Sequence, residues 1–364
     1  MTGLPRIARL PPTSKTPDAC PYCGSHSLTR RGIRKKKLEI VQLWRCSACK
    51  RIFTPGPASL RNKTYPLRTI LSALTDYDLG YTVEMTAARL RKKTGRHVST
   101  STVTCWLREY PQHCTYRRLR ADGLKKFPPE QTIRSIKLYH RQVYGYAYHR
   151  PKLALVRNGT LDDKRLGDTR LAPLADFLES IPTTCPHDLF RREDNPKARA
   201  SQAHPSFADV SRIIVNSKRN AATDIASLII PAVGNNKLRH ETLQRFMLTN
   251  DSVTVAIEVP IWLTDDDIVA LEQEHGVELE PHVGNAQRVI TGHIDFLQVR
   301  NGALHILDYK PDARTNKPIA QLAIYALALT RRAPGLKLFD IKCAWFNEDE
   351  YCEFFPRTLF ATRS

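Results

Sequence analysis

The sequence predicts three modules in series: a small β module built on cysteines, an all-α module, and an α/β domain whose central mixed sheet is flanked by helices. Three observations carry this. Two Cys-x2-Cys pairs, Cys20/Cys23 and Cys46/Cys49, frame a 22-residue spacer. Residues 66–110 hold three short runs of helical apolar periodicity, each punctuated by a capping residue or a glycine. From about residue 234 onward, amphipathic and β-branched runs follow one another in the order α-β-β-β-α-β. The expected boundaries are 1–63, 64–124, a connecting region 125–181, and 182–364.

Charge separates these parts before any motif is read. The 364 residues carry a formal +20, and residues 1–126 hold 26 Lys+Arg against 7 Asp+Glu, a net +19. The rest is almost balanced, 30 against 29. A basic module joined to a near-neutral one predicts an electrostatic footprint for nucleic acid on the first and chemistry on the second. No stretch reads as a signal peptide or a membrane span, so a cytoplasmic, nucleoid-associated protein with no membrane partner is expected.

In the first module the cysteine spacing matches a four-cysteine zinc ribbon, each pair forming a knuckle and "TRRGIRKKKLEIVQLWR" forming strands between them. Two disulfides are the alternative. The nine cysteines leave an odd one unpaired, which suits thiols and zinc better. Four thiolates leave no open position, so the zinc at Cys20, Cys23, Cys46 and Cys49 is expected to be structural.

In the second module Pro66 opens a helix bearing Leu67, Ile70, Leu71 and Leu74, and Gly80 closes it. A second helix runs from about Thr82 to Lys93 and stops at Gly95. The third, capped by Ser99, runs to Tyr110 and buries Val103, Trp106 and Leu107. Such spacing is a helix-turn-helix pattern, with an ordinary three-helix bundle as the alternative. Ribbon and helices together resemble the N-terminal regions of insertion-sequence transposases. Recognition would fall to Thr100, Ser101 and Thr104, with Arg89, Arg91, Lys92 and Lys93 near phosphates.

"KKFPPEQ" then reads as a linker. The following "SIKLYHRQVYGYAYHRPKLALV" interleaves aromatics with His and Arg, which suits either a nucleic-acid groove or a half-buried strand. Residues 265–280, with seven acids, read as a solvated helix and loop.

The α/β domain turns on one hairpin, "GHIDFLQVRNGALHILDYK". Asn301-Gly302 between alternating apolar runs signals a two-residue turn in which Arg300 faces Ala303. The same register carries Asp295 opposite Asp308, with Lys310 two residues on and on the same face. Leu297, Val299, Leu304 and Ile306 share that face and would pack against a helix, so the acids close a buried stripe. Opposed carboxylates there call for a cation, and oxygen-rich ligation suits magnesium or manganese better than zinc. The next helix, about Lys317 to Arg331, is apolar nearly all round, which makes Gln321 unusual in it. Gln321 and Tyr325 lie one turn apart on one face.

These residues resemble the PD-(D/E)XK nuclease superfamily, specifically its RecB-type nuclease domain, over about residues 182–355. The pattern is Gly292 and Asp295 on one strand, Asp308-x-Lys310 on the next, and Gln321-x3-Tyr325 on the following helix. The branch also carries an upstream glycine and histidine, here Gly234 and His240, and a Cys-Pro entry with an aromatic, here "CPHDLF". Five elements arriving in order make the match specific, although His240 taken alone could be a plain helix-face residue. The resemblance implies a metal held by His240, Asp295, Asp308 and the backbone carbonyl of Tyr309, with Glu258 as a reserve acid. It further implies that Lys310 positions the attacking water and offsets phosphate charge, and that Gln321 and Tyr325 steady the site.

Some relatives bind an iron-sulfur cluster through one cysteine before the core and three after it. Only Cys343 and Cys352 follow Cys185 here, so no such cluster is expected. The expected function is a metal-dependent deoxyribonuclease aimed at DNA by its N-terminal modules, in a mobile element, defence or DNA processing. Double-strand cleavage would call for a second copy of the chain, and unwinding or recombination for a separate helicase or recombinase. The alternative is a non-catalytic DNA-binding regulator or transposition accessory protein that retains a nuclease fold.

Overall fold

The computed structural model describes residues 17–35, 40–54, 64–115, 117–161, 167–191, 199–203, 205–206, 213–230, 233, 236–279 and 287–360. Gly234, singled out ahead of His240, lies outside them.

The first module is a three-stranded antiparallel sheet: β1 (Leu28–Lys35), β2 (Ile40–Cys46) and β3 (Ile52–Phe53). Among the described residues its core is Cys20, Trp44, Cys46 and Phe53, with Leu28 and Cys49 packed against it. A core this small gains from a cross-link, and its cysteines are placed to supply one. One Sγ of each of the four lies within 4.8 Å of the others. Cys20 and Cys49, like Cys23 and Cys46, are 3.6 Å apart, far beyond a disulfide bond and suited to thiolates around one ion. The amides of Tyr22 and Cys49 donate to the sulfurs of Cys20 and Cys46, each at 3.5 Å, the outer-shell support that thiolate ligands use. The cluster therefore fits a zinc ribbon. Cys46→Ser is expected to lose zinc and unfold residues 20–53 while the large sheet stays folded, read by zinc content and amide exchange; undiminished zinc would overturn this.

The next helices form as their caps dictate. α1 (Leu67–Asp78) follows Pro66; α2 (Val83–Thr94) is capped by Thr82, whose hydroxyl accepts from the Met85 amide, and stops at Gly95 with φ 65°. α3 (Thr100–Glu109) is capped by Ser99, which accepts from the Thr102 amide. α4 (Arg117–Lys126) follows. These helices share a hydrophobic core with the next domain: Ile70, Leu74, Leu90, Val103 and Trp106 belong to the cluster that includes Phe246, Met247, Phe296 and Phe346. The seam is also polar. Asn250 donates to Asp78 at 2.8 Å and accepts from Thr75 at 2.9 Å.

The connecting region does not behave as a linker. β4 (Ile133–His140) and β5 (Gln142–His149) form a hairpin at one edge of the main sheet, and α5 (Arg150–Arg157) and α6 (Ala172–Thr184) pack on its face. Burial of Leu138, Tyr146, Leu153 and Leu178 explains why: this segment supplies part of the same core.

The remaining elements are β6 (Asn216–Lys218), α7 (Ala221–Ile229), α8 (Asn236–Asn250), β7 (Thr254–Leu263), α9 (Asp265–His275), β8 (Ile290–Arg300), β9 (Ala303–Tyr309), α10 (Ile319–Arg332), β10 (Ile341–Phe346) and β11 (Tyr351–Phe354). The eight strands lie in the order β4-β5-β7-β8-β9-β10-β11-β6, antiparallel except for the β9/β10 pair. The β9/β10 pair can run parallel because α10 crosses over between them. Helices α5, α6, α9 and α10 cover one face, and α7, α8 and the N-terminal helices the other. The hairpin register is the one its Asn-Gly turn predicts, with Arg300 facing Ala303 and Phe296 facing Leu307; both turn residues have positive φ. No helix among the described residues is long and apolar enough to cross a membrane.

Candidate active site

Three adjacent strands, β7, β8 and β9, bring Glu258, Asp295 and Asp308 to one place. Strict alternation would put Asp295 on the α10 face with Leu297. Instead Ile294 and Leu297 both join the α10-side cluster while Phe296 joins the α8-side cluster, so alternation is interrupted between them. The neighbouring strand breaks at the same level: Ala256 and Val259 lie on the α10 side and Ile257 on the α8 side. Between them Glu258 takes a φ of 50°, a strained backbone for a non-glycine residue in a central strand, of the kind that costs about 1–3 kcal/mol and recurs at functional sites. This shared irregularity turns the two acids toward α8.

That helix meets them with two polar side chains a turn apart. His240 Nε2 is 2.9 Å from Asp295 Oδ2, so His240 is no ordinary helix-face residue. Gln244 Nε2 donates to Glu258 Oε1 at 2.7 Å and to the Asp295 carbonyl at 3.4 Å. The Tyr309 amide donates to Asp295 Oδ2 at 3.2 Å, and Lys310 Nζ is 2.8 Å from Asp308 Oδ2. Ligand atoms of His240, Glu258 and Asp295 all lie within 4.8 Å of one another. Glu258, the reserve acid of the sequence, thus lies in one cluster with His240 and Asp295. Gln244 was not anticipated, although its four-residue spacing from His240 is a readable signal.

The acids crowd one another, and burial makes the crowding matter. Burial pushes the Asp308 carboxyl up, and the negative charge of Asp295 pushes it further, against the pull of Lys310. Glu258 rises to about 7 from burial and then from Asp295, with Gln244 opposing. Burial would also raise Asp295, but His240, Asp308 and Lys310 outweigh it and hold the carboxyl at about 2. Against burial, the same acids lift His240 to about 9 and keep Lys310 above its ordinary value. Three carboxyls crowded together, one buried and two half-buried, with Glu258 and Asp308 both raised, are what a divalent cation would neutralise, and carboxylate oxygens with one imidazole suit magnesium or manganese. The donor chemistry therefore fits the expected ion.

On the other side of the acids Gln321 Nε2 donates to the Tyr325 hydroxyl at 2.9 Å, as their helical spacing predicts. Gly292 is the reason Tyr325 can sit there: a Cβ at 292 would lie 2.4 Å from Tyr325 Cε1 and 2.9 Å from its hydroxyl. Tyr325 is buried and cannot swing aside cheaply. Gly292→Ala is expected to destabilise the fold by about 1–3 kcal/mol through overpacking and to displace the ring from Gln321. Unchanged thermal unfolding would show that the ring moves freely.

The site opens into a cleft of about 1080 Å³ whose walls include Lys137, Arg141, Tyr144, Arg199 and Arg245. The aromatic-rich segment forms a half-buried strand pair that also lines the cleft. Tyr146 and Tyr148 are buried in β5, while Lys137, Arg141 and Tyr144 face the cleft.

The expected phosphate contacts of the N-terminal helices divide. Asp76 is buried, and Arg89 Nε at 3.3 Å and Lys93 Nζ at 3.0 Å pair with it; Arg89 also lies 3.9 Å over the Tyr81 ring. A buried carboxylate needs such partners, so these two cations are committed within the bundle. Arg91, Lys92, Thr100 and Ser101 are exposed, and the Thr104 hydroxyl donates back to the Thr100 carbonyl.

Residues 188–352 match the family model of the PD-(D/E)XK nuclease superfamily. The match spans Glu258, Asp295, Asp308, Lys310, Gln321 and Tyr325 and leaves the cysteine module, α1 to α6 and the β4/β5 hairpin outside it. No curated protein and no solved structure matches the chain.

Proposed function

We propose that this chain is a divalent-metal-dependent deoxyribonuclease that hydrolyses phosphodiester bonds at the Glu258/Asp295/Asp308/Lys310 cluster and engages DNA through its basic N-terminal region. The observation that carries it is the convergence of buried Asp308 and half-buried Glu258 and Asp295 with His240 and Lys310 at the mouth of a large cleft, within the segment that matches a nuclease family.

His240, Glu258 and Asp295, with Asp308 and the Tyr309 carbonyl beside them, would hold a magnesium or manganese ion. Such an ion supplies Lewis acidity at a phosphate oxygen and lowers the pKa of water. Lys310 remains protonated beside Asp308, so it acts as a cation toward the phosphate and not as a proton acceptor. Gln244 fixes the Glu258 carboxylate from α8, and the Gln321–Tyr325 pair fixes the opposite wall against Gly292. Both hold ligands in place without touching the reacting atoms.

The test is incubation of plasmid and linear DNA with magnesium or manganese, beside the isosteric Asp308→Asn protein. Equal nicking by both would sink the assignment.

DNA binding has its own test. The +19 carried by residues 1–126 should make affinity fall steeply with salt. Replacing Arg91 and Lys92 together by Ala should weaken binding to all sequences and lower the salt slope by about two. A slope identical to wild type would place the phosphate contacts elsewhere.

A further inference from the structure

We propose that His140, Cys185 and His187 bind a zinc ion, separate from both the ribbon and the acidic cluster. The three come from different elements: the end of β4, the C-terminus of α6, and the short 3-10 turn His187–Phe190 that follows Pro186. One ligand atom from each lies within 4.8 Å of the other two. His140 Nε2 is 2.7 Å from His187 Nδ1. His140 and Cys185 are buried, 2% and 7% exposed.

The surroundings are those of a metal-binding histidine. The second nitrogen of His140, Nδ1, is 3.0 Å from His293 Nε2, an outer-shell contact that sets which nitrogen is left for the ion. Phe190 stacks on His140 with centroids 4.0 Å apart, and Tyr144 stacks on His293 at 3.6 Å, so both rings are fixed in orientation. A chain of hydrogen-bonded imidazoles, His187 to His140 to His293, would explain the two short nitrogen contacts without an ion. It gives no reason for a buried cysteine to converge on the same nitrogens. Two imidazoles and a thiolate are borderline-soft donors that select zinc, whereas the acidic cluster selects a hard cation; the two sites would therefore sort different ions. Binding releases the Cys185 thiol proton and leaves a fourth position for water or a small ligand.

The site stands beside the catalytic cleft. His140, Phe190 and His293 line that cleft, and His293 is two residues from Asp295 on β8. A zinc ion here pins the outer β4/β5 hairpin and the segment after α6 to the strand that carries an acid ligand.

The full-length wild-type protein should contain about two zinc ions per chain, falling to about one in Cys185→Ser and about one in Cys46→Ser. Cobalt(II) identifies the donors. In the full chain with Cys20, Cys23, Cys46 and Cys49 all changed to Ser, cobalt should give tetrahedral d–d bands and a sulfur-to-cobalt charge-transfer band. That band should vanish on adding Cys185→Ser and persist on adding Asp295→Asn, which excludes the acidic cluster as its source. One zinc per wild-type chain, all of it lost in Cys46→Ser, would overturn the proposal. So would a charge-transfer band that survives Cys185→Ser.

Discussion

Asp308→Asn is expected to reduce DNA cleavage by at least about a thousandfold, equivalent to about 4 kcal/mol of transition-state stabilisation. The substitution keeps the volume of the side chain and an acceptor for Lys310, so what it removes is charge beside Asp295. In wild type without metal, the Asp308 carboxyl is held far above its ordinary range by burial and by Asp295. Taking away that repulsion should leave the variant as stable as wild type, or more so, in chelator. Added magnesium or manganese should raise the melting temperature of wild type and do so much less in Asp308→Asn, because stabilisation by a ligand depends on its affinity for the native state. The two measurements separate a lost ligand from a lost fold. A variant that keeps both its cleavage rate and the full metal-induced rise would exclude Asp308 from the site.

Lys152→Met is expected to destabilise the protein by about 1–3 kcal/mol, the range for leaving buried acceptors without their donor. Lys152 lies on α5, fully buried, and its ammonium donates to the carbonyls of Leu248 at 2.6 Å, Thr254 at 2.9 Å, and Asp251. Those carbonyls belong to the last turn of α8, the bend after it and the start of β7. A helix ends with carbonyls that have no intrahelical donor, and Lys152 supplies one from a distant element. Methionine fills the space but leaves these oxygens without that donor. Because α8 carries His240 and Gln244, cleavage should fall with stability. There is also a pH signature. Burial pushes Lys152 down to about 7 from its ordinary 10.5, with Asp251 and Asp78 opposing. Between those values the unfolded chain binds a proton that the native one does not, so this group makes wild-type stability rise with pH from about 7 to about 10. Denaturant titrations across that range should show this contribution missing in Lys152→Met. A loss of less than about 1 kcal/mol at neutral pH would mean that the carbonyls find other donors.

Nearly everything governed by short-range chemistry could be read directly. Thr82, Gly95 and Ser99 bound α2 and α3 as capping predicts. The Asn301-Gly302 turn sets the β8/β9 register down to Phe296 and Leu307, which is why the proximity of Asp295 and Asp308 was legible before any fold was known. The one-turn spacing of Gln321 and Tyr325 likewise became a hydrogen bond. Glu258 was visible only as a spare acid, since its role depends on a break in alternation that two adjacent strands share. A period-2 pattern read on one strand cannot show such a break.

The sequence by itself determined the cysteine pairs, the hairpin, the helix ends and the acid-acid-lysine order, because each depends on groups separated by a turn, a knuckle or one helical repeat. Tertiary structure alone decided that residues 133–149 form the sheet edge, that α1 to α3 share a core with α8, and that Arg89 and Lys93 serve Asp76. It also brought His140 against His293, 153 residues away in the chain, and Lys152 against the end of α8. The physical reason is that local pairings are set by backbone geometry over a few residues. Long-range ones depend on which strands and helices close over one another, and that choice belongs to the burial of the whole apolar surface.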